Sequence, residues 1–167
     1  MNIIIRPETG VDHDAIEVLT MAAFLNAPHT DHNEQRIVRA LRLAGALSLS
    51  LVAELEGRVV GHLCFSPVTI SDGSPHWYGL GPISVSPALH GKGLGSRLMD
   101  AGLAELKGMG AAGCVVLGDP GFYGRFGFVS EPGLTLPGVP AEYFMVRSFG
   151  AAMPRGEVCY HLAFVQE

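Results

Sequence analysis

At 167 residues the chain has the length of one ordinary domain, enough to bury a core of its own. It is 48% hydrophobic and 16% charged, yet no apolar run approaches the ~20 residues that cross a bilayer, so no membrane association is expected. The formal net charge of -5 speaks against nucleic acid, which needs clustered positive charge, and suits a cationic small-molecule amine or a peptide amine better.

The opening residues Met-Asn-Ile-Ile-Ile-Arg carry neither a basic n-region nor a long apolar h-region, so no secretory signal is expected. Cys64, Cys114 and Cys159 form no Cys-x-x-Cys pair, and each stands in an apolar, strand-like context. They read as buried thiols of a cytoplasmic protein, not as a disulfide frame. Low charge and positive mean hydropathy leave room for a homodimer interface.

Taken in order, Ile3 to Arg6 reads as a strand closed by Pro7. Val11 to Phe24 is a helix, with Val11, Ile16, Leu19 and Ala23 at helical spacing and acidic residues at its positive end. Glu34 to Leu43 is a second helix, entered through a polar loop. Within that loop, His29, Asp31 and His32 read as turn chemistry, and no metal site is expected. Ser48 to Glu56 and Val59 to Ile70 make a hairpin around Gly57-Arg58, and Trp77 to Val85 is a further strand. Gly81-Pro82 interrupts it: proline lacks a ladder donor, so pairing with the next strand should fail there and the sheet should open.

From Leu94 to Met109 an apolar face at helical spacing predicts about four turns of helix, ended by Gly110. Cys114 to Leu117 is a short buried strand, and a strand, helix, strand unit of this length gives a parallel pair. Phe122 to Phe128 is a helical turn feeding a strand; strands follow near Tyr143 to Arg147 and at Glu157 to Val165, the last closing the sheet. The pattern is that of a single α/β domain over 1–167, with a mixed, strongly twisted sheet flanked by helices and splayed at its central parallel strands.

Between the interrupted strand and the long helix lies His90-Gly-Lys-Gly-Leu-Gly-Ser96. Its alternating glycines allow positive φ and close approach of the backbone to a ligand, so successive N–H groups can converge on an anion at the helix start. The dinucleotide fingerprint would require Gly or Ala where Ser96 stands, and the Walker pattern is absent.

The spacing of His90, Gly93 and Gly95, followed after the next strand by Tyr123, Gly127 and Phe128, resembles the GNAT N-acetyltransferase superfamily and, within it, the YhbS-like branch. His90 stands where Gln or Arg is usual, and Val116 where many members carry an Asn against the pantetheine arm, leaving Asp119 as the nearest polar candidate. The resemblance implies an acetyltransferase with acetyl-CoA as acyl donor. Gly91, Gly93, Leu94, Gly95 and Ser96 would cradle its pyrophosphate, with His90 and Lys92 beside it. Ile83, Ser84 and Val85 would offer backbone N–H groups to the pantetheine and to the oxyanion, and Asp119 and Phe122 would border the same arm. Arg97 reads as a surface charge.

Tyr123, with a phenol of pKa about 10 against about 8.5 for a thiol, suits a general acid for the leaving thiolate. For the base, His62, His76, His161, Glu34 and Glu142 qualify by residue type, and the resemblance sets His29 to Glu34 near the acceptor. The competing reading is a non-catalytic acyl-CoA-binding sensor, against which Tyr123 argues.

Overall fold

The computed structural model describes residues 1–28 and 30–165. In chain order its strands are β1 (Ile3–Pro7), β2 (Leu49–Leu55), β3 (Arg58–Pro67), β4 (Thr69–Ile70), β5 (Trp77–Val85), β6 (Gly113–Leu117), β7 (Leu134–Thr135), β8 (Phe144–Ser148) and β9 (Gly156–Cys159). The helices are α1 (His13–Phe24), α2 (Glu34–Leu43), α3 (Leu94–Gly108) and the short α4 (Pro120–Tyr123). The main sheet runs β1-β2-β3-β5-β6-β8, and only its β5–β6 pair is parallel. This is the mixed sheet that the order of elements predicts.

Helices cover both faces, which is why β2 and β3 are buried on both sides. On one face α3 packs closely: a Cβ on Gly102 would lie 2.5 Å from Leu63 and 3.0 Å from Phe65, and one on Gly61 2.9 Å from Leu98. On the other, Ile16 of α1 and Val38 of α2 pack with Val52 and Cys64. Side chains alternate along a strand, so the register of β3 alone assigns residues to the two layers.

Several elements differ from the sequence reading. Residues 59–70 are two strands, because Pro67 ends the ladder and β4 crosses to a second, smaller sheet of order β4-β9-β7. The last strand stops at Cys159 and belongs to that smaller sheet; beyond it Leu162–Phe164 is a 3-10 turn, started by His161 Nδ1 accepting the Ala163 N–H at 2.9 Å. Cys159 is exposed, since it alternates with buried Val158, while Cys64 and Cys114 are buried as expected. Val11 lies in a 3-10 turn ahead of α1 and is exposed. That turn is fixed by buried Asp12, which accepts two hydrogen bonds from Arg6 at 2.7 and 3.0 Å. Met109 is the C-cap of α3 and is 49% exposed rather than inward. The turn at Phe122 to Phe128 feeds no strand directly, only an isolated bridge from Val129 to Val146.

Beneath α1 and α2 sits a polar cluster. Glu8 accepts hydrogen bonds from Arg42 at 3.0 and 3.1 Å and from the Ser50 hydroxyl, and Ser50 Oγ lies 2.8 Å from His62 Nε2. Burial drives the His62 pKa down to about 4 from 6.5, against the opposing pull of Glu8, so the imidazole is neutral in the fold. Burial raises Glu8, but its bonds from Arg42 and Ser50 prevail and hold it below the ordinary carboxylate value.

A histidine depressed in the folded state contributes stability that is complete above its unfolded pKa and lost as pH falls toward its folded one. Urea unfolding is therefore expected to show stability dropping by about 3 kcal/mol between pH 6.5 and 4. His62→Gln should flatten that slope while keeping the loss from Glu8, whose lowered value makes stability fall as pH drops below the ordinary carboxylate range.

Candidate functional site

β6 pairs with β5 only from Trp77 to Gly79, opposite Gly113 to Val115. Beyond Gly79 the parallel ladder ends and the sheet splays, as the sequence predicts; here Gly81 takes φ +124° and the register of β5 against β3 shifts. Beyond the break β5 keeps its other neighbour: Ile83, Ser84 and Val85 stand opposite Leu63, His62 and Gly61 of β3. The Ser86 N–H donates to Val60 O at 2.8 Å. Backbone groups alternate between the two edges of a strand, so Ser84 N–H also faces β3, whereas those of Ile83 and Val85 face the splay. The Val85 carbonyl confirms this direction by lying 2.9 Å from His90 Nε2, on the loop side.

The glycine loop closes the far end of the splay. Gly91 and Gly93 take φ +76° and +79°, a left-handed backbone that only glycine adopts without strain. Gly93 O accepts the first helical bond of α3, from Arg97 N–H at 3.1 Å. The N–H groups of Leu94, Gly95 and Ser96 therefore have no acceptor within the helix, and the helix dipole adds positive potential at the same point. A Cβ on Gly95 would stand 3.7 Å from Phe122 and 3.9 Å from Val85, in the gap between loop and strand. Glycine keeps that gap open. These features fit a ligand with a phosphate at one end and an amide-bearing arm laid along a free strand edge.

The resulting cleft encloses about 680 Å³. It brings together Ile83, Val85, His90, Gly91, Gly93, Leu94, Gly95, Ser96, Asp119, Phe122 and Tyr123. Ser84 and Lys92 are not in its wall: Ser84 is buried and paired with His62 of β3, and Lys92 is exposed. Arg97 is exposed and donates to the Ile3 carbonyl at 3.2 Å, tying α3 to β1. The sequence reading missed Arg125, whose guanidinium lies 4.9 Å over the Phe122 ring and borders the cleft as a further cation. Its signal was its place two residues beyond Tyr123. It also missed Ala23 and Phe24 at the end of α1, which only the tertiary fold delivers here.

Tyr123 ends α4. The Asp119 carboxylate starts that helix by accepting the Gly121 N–H at 2.9 Å, and the Asp119 carbonyl accepts the Tyr123 N–H at 3.0 Å. The ring lies over Gly118, where a Cβ would come within 2.5 Å of it, and meets Phe122 edge-on with centroids 5.0 Å apart. Burial, with a smaller contribution from the Asp119 charge, pushes the phenol up to about 12, so at neutral pH it holds its proton.

A second cavity, of about 530 Å³, opens on the other side of Tyr123 and shares Phe24, Ile83 and Tyr123 with the first. Of the residues considered as bases, Glu34 lines it. His62 is wholly buried in the Glu8 cluster, His161 caps its own turn, and His76 and Glu142 are exposed elsewhere. His29 lies outside the described residues. Among those described, no group of three or more His, Cys, Asp or Glu is arranged to hold a metal ion, and no helix is long and apolar enough to cross a membrane.

Residues 14–128 match the model of the Acetyltransferase (GNAT) family. The chain belongs to that family. The GNAT match runs from α1 through the splayed strand, the glycine loop and Tyr123 to Phe128. The chain is 38% identical over 126 residues to the uncharacterized N-acetyltransferase YhbS of Escherichia coli K12, covering 75% of this chain and 72% of that one. Among solved structures it is similar to a GNAT family acetyltransferase from Brucella melitensis in complex with acetyl-CoA, at 48% identity and TM-score 0.88, covering 98% of both chains. The YhbS structure from Escherichia coli in complex with CoA superposes with TM-score 0.88 at 33% identity, covering 99% of this chain and 93% of that one. The fold is a GNAT domain and the chain an acyltransferase of the N-acetyltransferase type.

The electrostatics of this GNAT site carry a direct check. A spectrophotometric titration, taken as wild type minus Tyr123→Phe, is expected to show a phenol ionising near 12. A Tyr123 titrating at the ordinary value near 10 would contradict the burial of its ring.

Proposed function

We propose that the chain moves the acetyl group of acetyl-CoA to a primary amine by direct attack, with Tyr123 as proton donor to the departing sulfur. What carries this reading is the position of Tyr123 in the wall common to both cavities, beside the strand edge released by Gly81-Pro82. A donor in the first cavity and an acceptor in the second would meet at that side chain.

Acetyl-CoA supplies a thioester carbon that an amine can attack. The chain's own groups answer each change of charge. The N-terminal N–H groups of α3, with Arg125 alongside, offset the phosphate charge. The outward N–H groups of Ile83 and Val85 serve the pantetheine amides, and one of them stabilises the negative charge that develops on the carbonyl oxygen. As the carbon–sulfur bond breaks, the phenol of Tyr123 passes its proton to sulfur and recovers one from solvent. A neutral phenol is the form this step needs, and a phenol that ionises at about 10 or above is in that form at neutral pH. The amine loses its proton before attack and the new amide nitrogen loses another, both toward solvent through the open mouth of the cavities.

Thiol release with an amine acceptor, followed for wild type and variants, tests the reading. Tyr123→Phe is expected to lower kcat by about 10²-fold or more with little change in the KM for acetyl-CoA, the signature of a lost proton donor. Gly93→Val, which sets a β-branched residue at φ +79°, should instead weaken acetyl-CoA binding at least about tenfold by disturbing the anion cradle. Binding of acetyl-CoA without turnover on any amine would favour the sensor.

A further inference from the structure

We infer that the acceptor is a small monoamine carried on an apolar body, an aryl-alkyl or alkyl amine, whose ammonium is received by Glu34. The inference rests on the acetyltransferase reading above and takes it to a substrate class.

The second cavity is walled by Ile37, Leu80, Pro82, Leu136, Val139 and Phe164 together with both tyrosines, Tyr123 and Tyr160. Among the described residues that line it, Glu34 is the one acidic or basic side chain. Its carboxylate is held in place at the start of α2, one oxygen accepting from the Thr30 hydroxyl and the other from the Asn33 N–H at 3.0 Å. A fixed carboxylate in an apolar chamber binds one cation well and has nothing for a second. A further ammonium would be stripped of water against leucine, valine and proline, which is strongly unfavourable without a partner.

The Tyr160 hydroxyl is buried with no hydrogen-bond partner, although its ring is fixed by Phe164, edge-on with centroids 5.0 Å apart. Buried hydroxyls are normally paired. Tyr160 lines this cavity and adds an aromatic wall to it, while its hydroxyl lies beneath the surface. The cavity shares Phe24, Ile83 and Tyr123 with the donor cleft, so an amine held here has Tyr123 in the wall of its own chamber. Its far wall, from Leu136 to Phe164, lies beyond the segment that matches the family. Its volume of about 530 Å³ is that of a small-molecule site.

The test compares hexylamine with 1,6-diaminohexane, equal in length and differing in one terminal ammonium, with phenylethylamine, spermidine and a peptide of N-terminal Phe as further acceptors. CoA binding is measured separately by calorimetry on the same protein. The expected result is a kcat/KM about 100-fold higher for hexylamine and phenylethylamine than for the diamine or spermidine. Glu34→Gln should raise the amine KM about tenfold or more and leave the KM for acetyl-CoA unchanged. Pro137 is exposed at the rim of the cavity; Pro137→Asp should narrow the preference about tenfold by giving the distant ammonium a partner. The Pro137 variant decides the matter even where Glu34→Gln disturbs the loop. With CoA bound, equal or better turnover of the diamine or spermidine, preferential turnover of the peptide, or turnover of no amine overturns the inference while leaving donor binding intact. Failure to bind CoA overturns both.

Discussion

The constraint on which the rest depends is the loss of one hydrogen-bond ladder. A parallel pair in the middle of a sheet would normally continue until one strand ends, and β5 and β6 instead part after Gly79. The break falls at Gly81 and Pro82, and its effect is twofold. It leaves the backbone donors of Ile83 and Val85 without a strand partner, and it opens a space that α1, α4 and the C-terminal residues line without filling. Unpaired donors are costly unless something meets them. A site for an amide-bearing ligand is thus a consequence of where the sheet stops pairing.

The two helix ends facing this space work through different physics. The start of α3 offers N–H groups and a positive potential, made accessible by Gly91 and Gly93. The short α4 offers a side chain, and its entry is fixed by Asp119, whose carboxylate is engaged in starting the helix. Holding the Tyr123 phenol in an apolar cluster raises its pKa and keeps it a donor. The buried Glu8, Arg42, Ser50 and His62 cluster occupies the layer under α1 and α2, apart from both cavities, and its charges are answered internally.

What was legible in the sequence is what acts on its own stretch of backbone. Pro82 removes its own donor, the glycines of the loop set their own φ, and Tyr123 shares a short motif with Gly127 and Phe128. The parity of Ser84 was not legible: its N–H was expected to serve the ligand beside those of Ile83 and Val85, and only the pairing with β3 turns it into the sheet. Pro67 carried the signal for the end of β3 inside a run of β-type residues. Other features depend on elements meeting. Phe24 and Leu136 share a cavity only because α1 and the segment before β8 converge there. The run Tyr160 to Val165 is largely apolar and reads as a continuation of the strand, yet His161 caps a turn within it, a choice fixed by side-chain geometry and not by hydropathy. Arg125 lies between these cases: its residue type and place were readable, and its stacking on Phe122 was not.

In the proposed function the splayed edge of β5 holds the donor through Ile83 and Val85 while Ser84 stays in the sheet. Amide hydrogen exchange by NMR, followed residue by residue as CoA is added, measures it directly. The Ile83 and Val85 amides are expected to exchange readily in the free protein and to gain protection with CoA, with Ser84 protected throughout. Equal behaviour of all three amides, or protection of Ile83 and Val85 before any ligand is added, would contradict it.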